Sequence, residues 1–169
     1  MTLPATFLRL LLAAFLIGAP SLAHAQSVKA SAKVSVQLKK PVVLTKLQDL
    51  DFGLIVGLQA GASPTAVTMT RDGTLTCPVP LRCSGAPLPG LYNIMGSNSA
   101  QVSISVTGAD LVNAVSGATI GFTADGPTLL QLPNSGNKGV DFGVGGTIVV
   151  PSDAAGDYEG VITVTADYL

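Results

Sequence analysis

The side chains best suited to nucleophilic, metal or acid–base chemistry are few in this 169-residue chain: two cysteines, one histidine and ten carboxylates. Cys77 and Cys83 bracket the segment Pro78-Val79-Pro80-Leu81-Arg82. In a chain bound for an oxidising compartment, that pair predicts a disulfide closing a small loop and contributing about 2 kcal/mol. A redox-active pair is the alternative, but the spacing is not Cys-x-x-Cys and no helical pattern follows. His24 lies in a segment read below as removed, which would leave no imidazole for Ser-His-Asp or Cys-His catalysis or for the common zinc sites. Asp49 and Asp51 fall on one face at the end of a strand, where solvated turn residues belong. Asp153, Asp157 and Glu159 offer oxygen to a hard cation, but their spacing matches no calcium loop. Gly143-Val144-Gly145-Gly146 has strand pattern on both sides and opens no helix, so it predicts a bulge or a close backbone approach rather than a phosphate cradle. No catalytic, cofactor-binding or metal-binding residue is assigned, no cofactor is called for, and the chain is not read as an enzyme.

The reason for expecting export lies at the N-terminus. Arg9, the apolar run Leu10 to Ile17 and the small-x-small sequence Ala23-His24-Ala25 form the three parts of a secretory signal peptide over residues 1–25, with Gln26 starting the mature chain. The apolar run is shorter than the roughly 20 residues that cross a bilayer, and no transmembrane helix is expected in the mature chain. Residues 26–169 then make one domain of ordinary size, able to bury a core. Charged residues are only 11% of the chain and the formal net charge is -1, so no basic surface awaits nucleic acid. Trp is absent, and the few remaining aromatics cannot furnish the two girdles of an outer-membrane barrel.

Period-two alternation and turn residues recur after residue 26, and helical periodicity does not. In the first segment Val28, Ala30, Ala32, Val34, Val36 and Leu38 take the even positions, and Ser, Lys and Gln take the odd ones. Pro41 breaks that run. A second strand is expected near Val42 to Gly53. A hairpin is expected at Arg71-Asp72-Gly73 between Ala66–Thr70 and Thr74–Cys77, because Asp-Gly supplies the positive φ of a tight turn. Leu91–Met95 and Gln101–Thr107 read as another pair, Ala118–Ala124 as a shorter strand. At the end, Phe142, Val144, Ile148 and Val150 share one face, and Ile162, Val164, Ala166 and Tyr168 share another. The expected fold is all-β: an immunoglobulin-like two-sheet sandwich of about eight strands, with surface loops at 54–64 and 127–138. A closed barrel is the alternative.

With no chemistry to place, association becomes the question. Four larger side chains of the leader, Val28, Val34, Val36 and Leu38, gain roughly 6–12 kcal/mol if buried and nothing while they stand in water. The leader must therefore find a sheet edge and an apolar groove. Either it is the first strand of its own sandwich, or it donates a strand to the next subunit through main-chain hydrogen bonds, with alternate side chains in pockets.

The C-terminus resembles chaperone-usher pilins, which end in an alternating apolar strand with a penultimate aromatic and a glycine fourteenth from the end. Tyr168 and Gly156 occupy those positions, with Ile162, Val164 and Ala166 alternating between them. Leu50-Asp51-Phe52-Gly53 resembles a motif that follows the leader in spore-coat-U-like and alternative chaperone-usher subunits. Together with Val144 to Val150 and Gly156 to Gly160, nearly all of residues 27–169 resembles an uncharacterised family of secreted, pilin-like bacterial proteins. The cysteine that such subunits often carry near the end of the first strand is absent from Leu38-Lys39-Lys40-Pro41.

The resemblance implies a structural subunit of a fimbria or related surface polymer, with adhesion to a host or other surface as a role such a polymer can carry. It implies that residues about 27–39 donate a strand, and that Gly156, Ile162, Val164, Ala166 and Tyr168 meet a periplasmic chaperone or a neighbouring pilin subunit. The chain would cross the periplasm and end at the cell surface or outside it. The alternative, from a different class, is a monomeric secreted β-sandwich that binds a ligand with the loops at 54–64 and 127–138.

Overall fold

The computed structural model describes residues 28–57, 63–134 and 138–169. The signal peptide expected over residues 1–25 lies outside them, as do parts of the two long loops. The chain divides into two units, Met1–Gln37 and Leu38–Leu169. In the first, residues 28–37 carry no strand and are exposed throughout.

The second unit is all-β. Among the described residues it has twelve strands and no helix: Val43–Gln48 (β1), Leu54–Val56 (β2), Thr65–Met69 (β3), Leu75–Thr76 (β4), Arg82–Ser84 (β5), Gly90–Met95 (β6), Gln101–Gly108 (β7), Leu111–Val112 (β8), Thr119–Asp125 (β9), Leu129–Gln131 (β10), Val140–Val150 (β11) and Ile162–Tyr168 (β12). Every pairing is antiparallel. They form three sheets. One has seven strands, ordered β1-β6-β11-β3-β4 with β9 and β8 branching from β11, one is β10-β7-β12, and one is β2-β5.

β11 organises the large sheet because its neighbours change along its length. Val140–Val144 pair with β6, whereas Gly145–Val150 pair with β3 and β9. The glycines make this exchange possible. A Cβ at Gly143 would meet the Arg71 carbonyl, and one at Gly145 would meet the Met69 carbonyl, so the expected close backbone approach is what the tract provides. Glycine at such a switch also lets a sheet bend, and this sheet curls into a half-barrel.

Even-numbered side chains of β11 feed two cores. Phe142 and Val144 pack with Tyr92 and Ile94 of β6 and with Val102 and Ile104 of β7, so this core joins the seven-stranded sheet to the three-stranded one. Tyr92 and Phe142 stack with centroids 5.7 Å apart. Ile148 and Val150 pack with Val67, Ile120 and Phe122 in the second core, against which the half-buried Cys77 and Cys83 rest.

Several sequence expectations need correction. There are three sheets and twelve strands, rather than two sheets and about eight strands, because β2, β4, β5, β8 and β10 have two or three residues each, too few to show a period. The loops at 54–64 and 127–138 contain β2 and β10. β6 and β7 are not a hairpin pair but lie in different sheets. The leader, whose alternation is the most regular in the sequence, is not a strand: β1 starts only at Val43, after Pro41. Alternation makes a strand only where an edge is there to pair with. The hairpin at Asp72-Gly73 is present, with Thr70 N–H donating to Thr74 O at 2.9 Å and Gly73 at φ +90°.

Candidate assembly interface

The six residues expected to form a donor strand are all presented to solvent. Val28, Val34 and Leu38 are 94%, 92% and 90% exposed, and Val36, Ala30 and Ala32 are exposed too. Such exposure of large aliphatic side chains at regular spacing is unusual unless a partner covers them.

Hydrogen bonds to the folded domain appear at the end of this run, in the second unit. The Lys40 N–H donates to Ser97 Oγ at 2.7 Å. The Tyr168 hydroxyl accepts from the Ser97 N–H at 2.6 Å and donates to the Lys40 carbonyl at 2.8 Å. Lys39 Nζ lies 4.8 Å from the centre of the Tyr168 ring and donates to the Leu169 carbonyl at 3.2 Å. A tyrosine brings both a π face for the ammonium and a hydroxyl for the backbone, which phenylalanine could not. The penultimate aromatic thus ties the end of β12 to the approach to β1.

β12 has one paired edge and one open edge. Ala109 N–H donates to Val161 O at 3.0 Å and Leu169 N–H donates to Gln101 O at 3.3 Å, so the odd-numbered positions exchange hydrogen bonds with β7. In an antiparallel ladder the alternate positions point their N–H and C=O groups the other way. Ile162, Val164, Ala166 and Tyr168 therefore direct main-chain donors and acceptors to an edge where no strand pairs among the described residues. Their side chains are only half-buried against the first core. Val42 and Leu44, at and beside the start of β1, rest half-buried on that same core, and β1 is likewise an edge strand of its sheet. Two edge strands from opposite sheets therefore flank one core, joined at one end by Tyr168 and Lys40. Open edges of this kind accept an added strand.

Gly156 is not on this edge. It sits in the loop ahead of β12 at φ +91°, where a Cβ would come 2.7 Å from Asn113 Nδ2. Asn113 is buried, donates to the Ala155 carbonyl at 3.2 Å, and accepts from the N–H groups of Val115 and Ser116, both at 2.9 Å. The glycine shapes that junction. Cys77 and Cys83 form the disulfide, with Cα atoms 6.0 Å apart, and Cys83 stands opposite Ile55 in the β2–β5 sheet.

The carboxylates behave as turn and surface residues. Asp49 pairs with Lys46 at 2.6 Å, and Asp51 accepts the Gly53 N–H at 2.7 Å. Asp153, Asp157 and Glu159 are exposed, and no cluster of three metal-ligating side chains occurs among the described residues. Arg71 grips both oxygens of Asp125 at 2.6 and 2.9 Å, tying the β3–β4 turn to the end of β9. That hydrogen-bonded guanidinium holds the Asp125 carboxyl below the usual carboxylate range. Sequence reasoning missed Lys39, Lys40 and Ser97, since three segments far apart in the chain have to meet before their roles are visible.

No curated protein and no solved structure matches the chain. The family model described as a domain of unknown function, DUF4402, matches residues 42–168, from the approach to β1 through the end of β12. The leader lies outside the matched stretch, and the chain belongs to the DUF4402 family.

Proposed function

We propose that this chain is a structural subunit of a fimbria or related surface polymer, assembled by strand donation. Residues about 27–39 are the donated strand, and the edge formed by Ile162, Val164, Ala166 and Tyr168 receives a strand, from a periplasmic chaperone in transit and from a neighbouring subunit in the polymer. The N-terminal 25 residues serve as the export signal and the mature chain ends at the cell surface. The domain is read as an immunoglobulin-like sandwich made by the two larger of its three sheets. Support for that reading comes from the core shared by β6 and β11 on one side and β7, β10 and β12 on the other.

The observation that supports the proposal is that, among the described residues, one chain holds an exposed apolar leader outside every strand and an edge strand with no strand on its outer side. Apolar leader residues stand 79–94% exposed, while the inward face of an edge strand remains half-buried. Each needs what the other has. Head-to-tail donation does not close on itself, so it builds a filament.

The deciding experiment is isolation of the protein from the cell exterior, followed by electrophoresis with and without heating. The proposal requires SDS-resistant ladders that collapse on boiling. It also requires that deletion of residues 28–38 abolish the ladder and leave a folded body. Recovery of monomer alone, before and after cross-linking, would favour a self-contained binding module instead.

A further inference from the structure

The leader and the segment that bears the open edge are opposite in charge. Residues 28–40 contain Lys29, Lys33, Lys39 and Lys40 and no acid, whereas all ten acids of the chain lie beyond residue 40, against only Lys46, Arg71, Arg82 and Lys138. From residue 151 onward the chain holds Asp153, Asp157, Glu159 and Asp167 and no cation. These four carboxylates are exposed, and none takes part in an ion pair among the described residues, whereas Asp49 and Asp125 are held by Lys46 and Arg71.

Side-chain parity would bring the two sets of charges to one surface. A strand that lays Val28, Ala30, Ala32 and Val34 beside Ile162, Val164 and Ala166 turns Lys29 and Lys33 outward. The outward residues of β12 are Thr163, Thr165 and Asp167, preceded by the acids of the loop. Unlike charges on neighbouring strands attract, and summed charge of opposite sign speeds encounter over distances well beyond contact. The Lys39 ammonium is held at Leu169 and the Lys40 backbone at Tyr168 of their own domain, so Lys29 and Lys33 are the leader cations placed farthest out to reach a neighbour.

We propose that the occupant of the β12 edge is the leader of a second copy of this same chain, selected and steered by charge. This inference rests on the strand-donation reading above, and adds to it the identity of the donor and the force that recruits it. The subunit is then self-complementary, and its polymerisation slows as salt screens the attraction.

The test follows assembly of the purified mature chain by light scattering and by SDS-resistant ladders, between about 20 and about 300 mM NaCl. Assembly should slow by roughly tenfold or more across that range. Lys29→Glu with Lys33→Glu should slow it comparably at low salt. A chain that also carries Asp157→Lys, Glu159→Lys and Asp167→Lys should regain the original rate. The leader substitutions lie outside every strand, so the unfolding midpoint of the monomer should not move; a shift would mean the leader is paired within its own domain and would overturn the proposal.

Other outcomes separate the two levels of inference. Assembly that is indifferent to salt and to charge reversal, yet lost on deletion of residues 28–38, overturns charge steering and leaves strand donation standing. Assembly that survives that deletion, or none at any salt, overturns both. Recovery of the chain only as a complex with a different protein, unaffected by charge reversal, shows that the edge is not reserved for a second copy.

Discussion

The Tyr168 hydroxyl donates to the Lys40 carbonyl at 2.8 Å while accepting the Ser97 N–H at 2.6 Å, so one phenol fastens the last strand to the chain that leads into the first. Tyr168→Phe keeps the ring and removes both bonds, leaving a half-buried N–H unpaired at a cost of about 1–2 kcal/mol. The urea midpoint should fall accordingly, and trypsin should cut faster after Lys39, the Lys40-Pro41 bond being resistant to it. Gly96→Ala should act in the same direction, since a Cβ there would meet the Tyr168 hydroxyl and Leu132. Unchanged proteolysis in both variants would remove Tyr168 from its anchoring role.

The disulfide closes a small loop whose second cysteine lies in β5, opposite Ile55 of β2. Loop-closure entropy for so short a span gives about 2 kcal/mol. Reduction, or Cys77→Ser with Cys83→Ser, should therefore lower the denaturation midpoint without unfolding the chain. Hydrogen exchange should rise first at residues 54–56 and 82–84. A reduced chain with no native sheet left would mean that the disulfide holds more than its own corner.

Asp125 is held below its ordinary pKa chiefly by its hydrogen bond from Arg71, and its side chain remains 54% exposed. A carboxyl with a depressed folded-state pKa contributes stability that is present above its unfolded value, near 3.9, and is lost as pH falls through the folded value. Solvent screening limits the contribution to about 1 kcal/mol or less. Asp125→Asn should thus lower the melting temperature slightly at pH 7, and the difference from the parent chain should vanish at the acid end. A gap that persists below the folded pKa would assign the loss to packing.

What could be read from the sequence depended on length. β11 and β12 declare themselves because eleven and seven residues show their period clearly, and Asp72-Gly73 names its own turn. β2 and β10 hide inside glycine- and proline-rich stretches, since three residues cannot display alternation. The short link between β6 and β7 looks like a hairpin, yet Gly96 lies over Tyr168 and Leu132, and the chain passes there from one sheet to the other. The leader's two faces are legible residue by residue. That it remains unpaired is not, because pairing depends on edges contributed by β12 and β1, whose openness is a property of the assembled sheets.

The alternation of hydrogen bonding along β12 gives the sharpest separation of folding from assembly. Odd positions bond to β7, so Thr165→Pro removes a donor from the ladder that holds the strand in its sheet, costing on the order of 1–3 kcal/mol. At Ala166 the N–H points to the open edge, where proline is tolerated because the donor faces no strand among the described residues. Ala166→Pro should leave the monomer close to its original unfolding midpoint while blocking the strand that would dock there. Thr165→Pro should destabilise the monomer, and any loss of assembly should follow from that. Paired measurements of urea midpoint and SDS-resistant ladders distinguish the two. If Ala166→Pro is folded and still polymerises at the original rate, the incoming strand does not use this edge, and the acceptor lies along another edge, such as β1.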